Sequence, residues 1–310
     1  MCTSLQMWSA NQQLLFARTM DWHEFEHQAL YVPRAYAWQS VYDQQAHQNQ
    51  YAILGVGRPD RYAHVDISDG INEHGLAVQK LTYSNKSEYQ LKPDATKTNL
   101  APFELVLWLL GNYRSVVDVV AHLTEIQLMA DEIAAVQYGR MDLHFALTDE
   151  TGRMINLEPV NGELQVVENF VGVVTNAPNF DREVNKLADY LDVADLEALP
   201  VNKISTGNFN GKKVFPGSYT PSNRFIRATV LKERAVLPVD EADDVVEVWH
   251  ILNSVTVPKS IDRSTTYTVY RSAVGVHSRT LYYQPYADFS LRQFQFDAKL
   301  LGMNELVVLG

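Results

Sequence analysis

The order of segment types along the chain predicts an α+β protein forming one domain over residues 1–310. Strand-like runs separated by short polar turns come in blocks, the pattern of antiparallel sheet. Pairs of helical segments interrupt those blocks, so the chain reads strands, two helices, strands, two helices, strands. No low-complexity tract, Gly/Ser linker or repeat of roughly 30 to 50 residues marks a second domain.

The first element is a hairpin. Residues 4–8 are mostly apolar, Leu14-Leu15-Phe16-Ala17 is an apolar run, and Asn11-Gln12-Gln13 supplies the turn. Residues 29–33, 51–56 and 75–83 read as further strands. Residues 100–113 and 115–128 carry helical periodicity, with Ser115 as N-cap, and two such helices packed antiparallel would cover one sheet face. Strands return at 143–148, turn through Asp149-Glu150-Thr151-Gly152, and continue at 154–157 and 172–175. His144 alternates with apolar neighbours and reads as structural. Residues 186–194 read as a short helix and 202–213 as a polar segment. Thr220 as N-cap with Pro221 at the first helical position opens a helix through Lys232. Another helix spans 242–254, and strands follow at 267–273 and 279–286.

Composition narrows the function. A net charge of −11 argues against a nucleic-acid binder, whose phosphate contacts need a basic face. No window approaches the ~18 continuous apolar residues of a membrane span, and no signal-peptide pattern opens the chain, so a cytoplasmic protein with one reduced thiol is expected. The nine histidines show no zinc-site pairing, so no metal or other cofactor is expected.

Cys2 is the only cysteine. Removal of Met1 would place its thiol and a free α-amino group on one residue. The thiolate is the nucleophile, a free thiol titrates near about 8.5, and an α-amine near about 7.7 to 8.0 can accept its proton directly or through one water. The competing reading is a small buried apolar residue, the usual fate of a lone cysteine. The returning strand of the hairpin would carry Arg18 and Asp21 alongside the N-terminus. Arg18 offers a charge that favours thiolate and Asp21 an acceptor for the amine, although an Arg and an Asp three apart are ordinarily a solvated pair.

Met-Cys-Thr-Ser-Leu at the start, Phe16-Ala17-Arg18-Thr19-Met20-Asp21-Trp22, Val32-Pro33-Arg34, the stretch from Asp69-Gly70-Ile71-Asn72 to Leu76, Thr175-Asn176-Ala177-Pro178 and the stretch from Pro216-Gly217-Ser218 to Asn223-Arg224-Phe225 resemble the choloylglycine hydrolase family. That family contains penicillin V acylases and conjugated bile salt hydrolases, both N-terminal-nucleophile amidases. The resemblance runs in order over essentially the whole chain. It implies a four-layer αββα sandwich of two antiparallel sheets and a small N-acyl amide substrate.

Residue by residue, the resemblance implies catalytic roles for Cys2, Arg18, Asp21, Asn176 and Arg224, with Asn176 as an oxyanion donor. Alone, an Asn beside a Pro reads as a turn residue and Arg224 as a surface charge. One position departs: relatives carry Tyr or Asn where this chain has Thr82 followed by Tyr83. A backbone donor survives that change, whereas the Thr82 hydroxyl is shorter than either side chain. Trp22 is an aromatic wall for a phenoxyacetyl or medium acyl chain, or else packed core. Trp22 and Thr220-Pro221-Ser222 favour a penicillin V acylase-like substrate over a conjugated bile salt, with an N-acyl homoserine lactone as a further alternative. A catalytically silent binding protein is the non-enzyme alternative, opposed by the five-residue set. Residues 187–213 correspond to an insertion that in the family reaches neighbouring subunits, so a homotetramer is expected.

Overall fold

The computed structural model describes residues 1–42, 44–60, 64–130, 141–191, 216–261 and 266–310. In chain order the strands begin with β1 (Cys2–Trp8), β2 (Leu14–His23), β3 (Gln28–Val32), β4 (Ala37–Gln39), β5 (Ala46–Gln48), β6 (Ile53–Arg58), β7 (Asp66–Asn72), β8 (Ala77–Thr82) and β9 (Thr98–Leu100). Helices α1 (Leu105–Asn112) and α2 (Val116–His122) follow, then β10 (Ile126–Leu128), β11 (Leu143–Thr148), β12 (Met154–Val160), β13 (Glu163–Glu168) and β14 (Val173–Val174). Helices α3 (Phe180–Leu187), α4 (Pro221–Arg234) and α5 (Glu241–Val255) precede β15 (Thr266–Gly275), β16 (Thr280–Pro285) and β17 (Arg292–Gln295); α6 (Ala298–Leu301) and β18 (Val307–Leu309) end the chain. Among the described residues no helix is long and apolar enough to cross a membrane.

Two compact units share the chain. The first comprises Met1–Phe25, Glu168–His277 and Tyr282–Arg292, the second Glu26–Val167, Ser278–Leu281 and Gln293–Gly310. The first is built on a six-stranded sheet in the order β14-β1-β2-β15-β16-β17. The expected hairpin is its spine, pairing Cys2 with Met20 and Trp8 with Leu14. Helix α4 packs on β1 and α5 on β2. The second unit holds an eight-stranded sheet in the order β13-β12-β11-β8-β7-β6-β3-β18, antiparallel from β12 to β18, with α1 packed on β7 and β8. Helix α1 is apolar nearly all round and buries Leu105, Val106, Leu107, Leu109 and Leu110. Each unit is thus built on one large sheet with helices packed on it.

Several boundaries differ from expectation for identifiable reasons. Strand β7 was not expected, because Asp66-Ile67-Ser68-Asp69-Gly70-Ile71-Asn72 carries turn chemistry, yet it lies in the middle of the larger sheet. Gly55 and Gly70 are partners across β6 and β7, and a Cβ on Gly70 would come within 2.5 Å of the Leu54 carbonyl oxygen, so this crossing admits only glycine. The helix expected over 115–128 stops at His122, and Ile126–Leu128 pairs with β9 instead. Ser115 caps α2 as expected, its hydroxyl accepting from the Asp118 N–H at 3.1 Å. The helix expected over 186–194 runs from Phe180 to Leu187, its Phe180 ring set edge-on to Phe225 at 6.3 Å. Thr220 holds the N-cap position of α4, but its hydroxyl pairs with Ser218 and caps nothing. Strand β13 follows a two-residue turn at Asn161-Gly162, both at positive φ, which the expectations left out. The polar segment 202–213 lies outside the described residues.

Candidate active site

Register alone brings the N-terminal elements together. Cys2 opposes Met20 and Ser4 opposes Arg18 across the hairpin, so Cys2, Ser4, Arg18 and Met20 share one face of the sheet. The Arg18 guanidinium donates to Cys2 Sγ at 3.0 Å and approaches Met20 Sδ at 3.3 Å. Cys2 is 2% exposed and Arg18 fully buried. A positive charge against the sulfur stabilises negative charge there, more strongly than it would in water.

Asp21, an odd number of residues from Arg18, points to the opposite, helix-bearing face. Its carboxylate accepts from the Thr268 hydroxyl at 2.6 Å and faces the Arg224 guanidinium at 3.4 Å. The amino group of Met1 donates to the backbone carbonyl of Asp21, so the contact with the amino terminus runs through the main chain.

Asn176 also arrives by register. Val174 opposes Ser4, which carries Asn176 two residues further to a place beside Cys2. Its Oδ1 accepts from the Cys2 N–H at 2.9 Å and from Arg224 Nη2 at 2.7 Å. Two donors on the oxygen fix the amide's orientation and turn its NH2 end away from the Cys2 nitrogen. The peptide between Ala177 and Pro178 is cis.

Arg224 is fully buried, which removes the reading as a surface charge that it has without the family resemblance. Placed in the first turn of α4, it donates through Nη1 to the Cys2 carbonyl at 2.5 Å and to the Thr3 hydroxyl at 2.6 Å, and through Nε to the Tyr219 carbonyl at 3.0 Å. Five groups from four chain segments are thereby held by one planar fork of donors. Arg227, one turn on, has a different task. It donates to the carbonyls of Ser254, Pro216 and Ser218, tying the end of α5 to the loop before α4.

Five of the expected residues, Cys2, Arg18, Asp21, Asn176 and Arg224, therefore converge within the first unit. Trp22 is 38% exposed and shares the face of Cys2, which removes its alternative reading as packed core. Thr82 belongs to the second unit, where it ends β8 opposite Leu143. The neighbouring Tyr83 hydroxyl donates to Glu158 at 2.9 Å, and its ring stacks on His144 at 4.4 Å, in keeping with a structural His144. Sequence reasoning missed Thr268, Thr3 and Met20. Thr3 and Met20 sat inside quoted motifs, whereas Thr268 lay in a strand with no signal beyond its β-propensity.

Comparison with known proteins gives the family and the fold. Residues 2–309 match the model of the linear amide C–N hydrolases, choloylglycine hydrolase family. A bile salt hydrolase/transferase from Clostridium perfringens is 27% identical over 317 residues, covering 99% of this chain and 95% of the relative. One from Lactiplantibacillus plantarum is 28% identical over 321 residues, covering 99% and 96%. A penicillin V acylase from Pectobacterium atrosepticum is 23% identical over 270 residues, covering 78% of this chain and 65% of its own length. Among solved structures, a variant of conjugated bile acid hydrolase from Clostridium perfringens superposes with a TM-score of 0.84 at 26% identity, covering 99% of this chain and 96% of that one. Penicillin V acylase from Agrobacterium tumefaciens shares the fold, with a TM-score of 0.75 at 18% identity over 98% and 90%. The expected α+β class with two antiparallel sheets, that of the N-terminal-nucleophile hydrolases, is borne out. The chain belongs to the choloylglycine hydrolase family and is a hydrolase of linear amide C–N bonds.

Proposed function

We propose that the protein is a cysteine amidase, one domain over residues 1–310, that cleaves a small N-acyl amide through a thioester on Cys2. The observation that carries this reading is the sole thiol of the chain held 3.0 Å from the Arg18 guanidinium, beside an Asn176 amide pinned by two donors. Removal of Met1 converts the nitrogen that donates to Asn176 into an α-amine on the nucleophile's own residue. Burial, the largest influence, holds the amino group of Met1 below its ordinary pKa. The same surroundings would act on an amine at Cys2 in the same direction and keep more of it neutral, ready to take a proton.

In the reaction, sulfur attacks the amide carbon and the thiol proton passes to the α-amine. The tetrahedral oxyanion receives an N–H from Asn176, collapses, and breaks the C–N bond as the amine leaves with that proton. Water then cleaves the thioester, releasing the carboxylic acid and restoring the thiol. Arg18 stabilises charge on sulfur. Asp21 and Arg224 hold the strand end that carries the nucleophile.

The half-exposed Trp22, on the face of Cys2, supports a phenoxyacetyl or medium acyl group, as in a penicillin V acylase-like enzyme. Conjugated bile salt hydrolysis is the second reading. It is favoured by the Clostridium and Lactiplantibacillus relatives, which match more of the chain at higher identity than the Pectobacterium acylase. A panel of penicillin V, taurocholate, glycocholate and an acyl homoserine lactone decides between them: phenoxyacetate release without taurine supports the first, the reverse supports the second. Turnover of none overturns the amidase reading. The expected homotetramer rests on residues 187–213, of which 192–213 lie outside the described residues. Sedimentation as a monomer would end that part of the proposal.

A further inference from the structure

Lys232 stands in the last turn of α4, where a lysine ordinarily reaches into water beside the helix dipole. This one is buried, and its ammonium donates to the Val171 carbonyl at 2.6 Å. The neighbouring Glu233 carboxylate, also buried, lies 2.5 Å from the same nitrogen and has no other cation paired with it among the described residues. Burial pulls the ammonium below its ordinary pKa, and Glu233 opposes that shift, which favours the charged and stronger donor.

The carbonyl it holds opens the segment that delivers Asn176. Next comes Gly172 at a φ of 71°, in the left-handed region, where a Cβ would come within 3.0 Å of Gln6 Cγ and 3.2 Å of Lys232 Nζ. The Gly172 carbonyl accepts from the Gln6 N–H at 2.8 Å. The Asn169 side chain spans the bend, accepting from the Gly172 N–H at 2.9 Å and donating to the Val173 carbonyl at 3.0 Å. Strand β14 itself pairs with β1 only through Val173 and Val174. Two further ties bind the segment to α4: the Thr175 hydroxyl donates to the Pro221 carbonyl at 3.2 Å, and Arg224 donates to Asn176 Oδ1 at 2.7 Å. Pro221, Arg224 and Lys232 thus stitch residues 171–176 to one helix. Lys232 is the far stitch, roughly 12 Å along the axis from Arg224.

A buried ion pair is a poor source of net stability, since apolar side chains of similar size often do as well. What this pair supplies is a fixed point for a strand too short to fix itself. We propose that Lys232, paired with Glu233, is a positioning residue that sets where β14 presents the Asn176 amide to the oxyanion. The proposal rests on the amidase reading above and extends its machinery to the far end of α4.

The test uses the best substrate of the panel and three variants: Lys232→Met, Lys232→Met with Glu233→Leu, and those two substitutions added to Asn176→Ala. Lys232→Met alone strands the Glu233 carboxylate, so Tm should fall and kcat should drop roughly tenfold, with KM within about twofold of wild type. The double variant replaces both charges with apolar side chains. Its Tm should recover while kcat stays equally low, because the Val171 carbonyl still lacks its donor. In the Asn176→Ala background the same two substitutions should cost no further kcat, since the group they displace is already gone. Recovery of kcat along with Tm in the double variant overturns the proposal, for the pair would then serve only the fold. So do losses that multiply in the triple variant. If the wild type hydrolyses nothing in the panel, the amidase reading itself fails and takes the positioning role with it.

Discussion

Asp244 lies in the first turns of α5, is fully buried, and has no hydrogen bond to either carboxylate oxygen among the described residues. Burial first, and then the like charges of Glu241, Asp243 and Glu247, push its pKa up to about 8. In an unfolded chain the same carboxyl titrates near about 4. Between those two values the folded protein keeps a proton that the unfolded chain has released, so stability falls as pH rises, by about 1.4 kcal/mol per pH unit. The contribution is whole below about pH 4 and lost by about pH 8, an order of 5 kcal/mol over the window. Asp244→Asn preserves the shape and removes the titration. Urea denaturation of both proteins at pH 5, 6, 7 and 8 should show the stability of the wild type relative to the variant declining by about 1.4 kcal/mol per unit. A difference that stays flat across that range refutes the reasoning. Because α5 packs on β2, the same titration sets an upper pH limit on keeping Arg18 and Asp21 in place.

Cys2→Ser should remain folded and lose at least about 100-fold in kcat, since an alcohol is far less ionised than a thiol at neutral pH; near wild-type turnover would sink the thioester route. Blocking Met1 removal, checked by intact mass, should be equally damaging, and an active enzyme with Met1 attached would show the α-amine to be dispensable. Asn176→Ala is expected to lower kcat by ~100-fold or more with a smaller change in KM, whereas a change in KM alone would make Asn176 a substrate-positioning residue only. Ser222 donates to Glu183 at 2.7 Å and ties α4 to α3, so Ser222→Ala leaves a buried acceptor short of a donor. Its cost should be about 1 to 3 kcal/mol in thermal denaturation, and a variant as stable as wild type would show that the tie carries no weight.

Legibility in the sequence followed locality. The hairpin, the cap at Ser115, the helix start at Pro221 and the strands β11 and β15 are written in short-range patterns that need no partner to be recognised. Strand β7 was hidden because its glycine and aspartates serve a close crossing with β6, which only the assembled sheet reveals. At the candidate site, the position of Cys2 alone left a nucleophile and a small buried residue as competing readings, and the hairpin made Arg18 and Asp21 neighbours of it. Asn176 and Arg224 lie 174 and 222 residues away from Cys2, and resemblance to the family named them. What resemblance could not supply was their arrangement, with Arg224 buried as a fork over Cys2, Thr3 and Asn176. Thr268, the partner of Asp21, carried no signal at all, because any strand may hold a threonine.

The odd spacing of Arg18 and Asp21 divides the labour of β2 between two sides of a wall. Even-numbered positions look towards the sulfur and whatever is bound there, and odd-numbered positions look towards the helices that hold the strand down. A lineage adapting to a new acyl group could therefore rewrite Trp22 without loosening the footing of Cys2. A deep mutational scan of the end of this strand should separate its two sides: survival at Thr19 and Asp21 would track folding whatever amide is supplied, and survival at Trp22 would change with the amide chosen for selection.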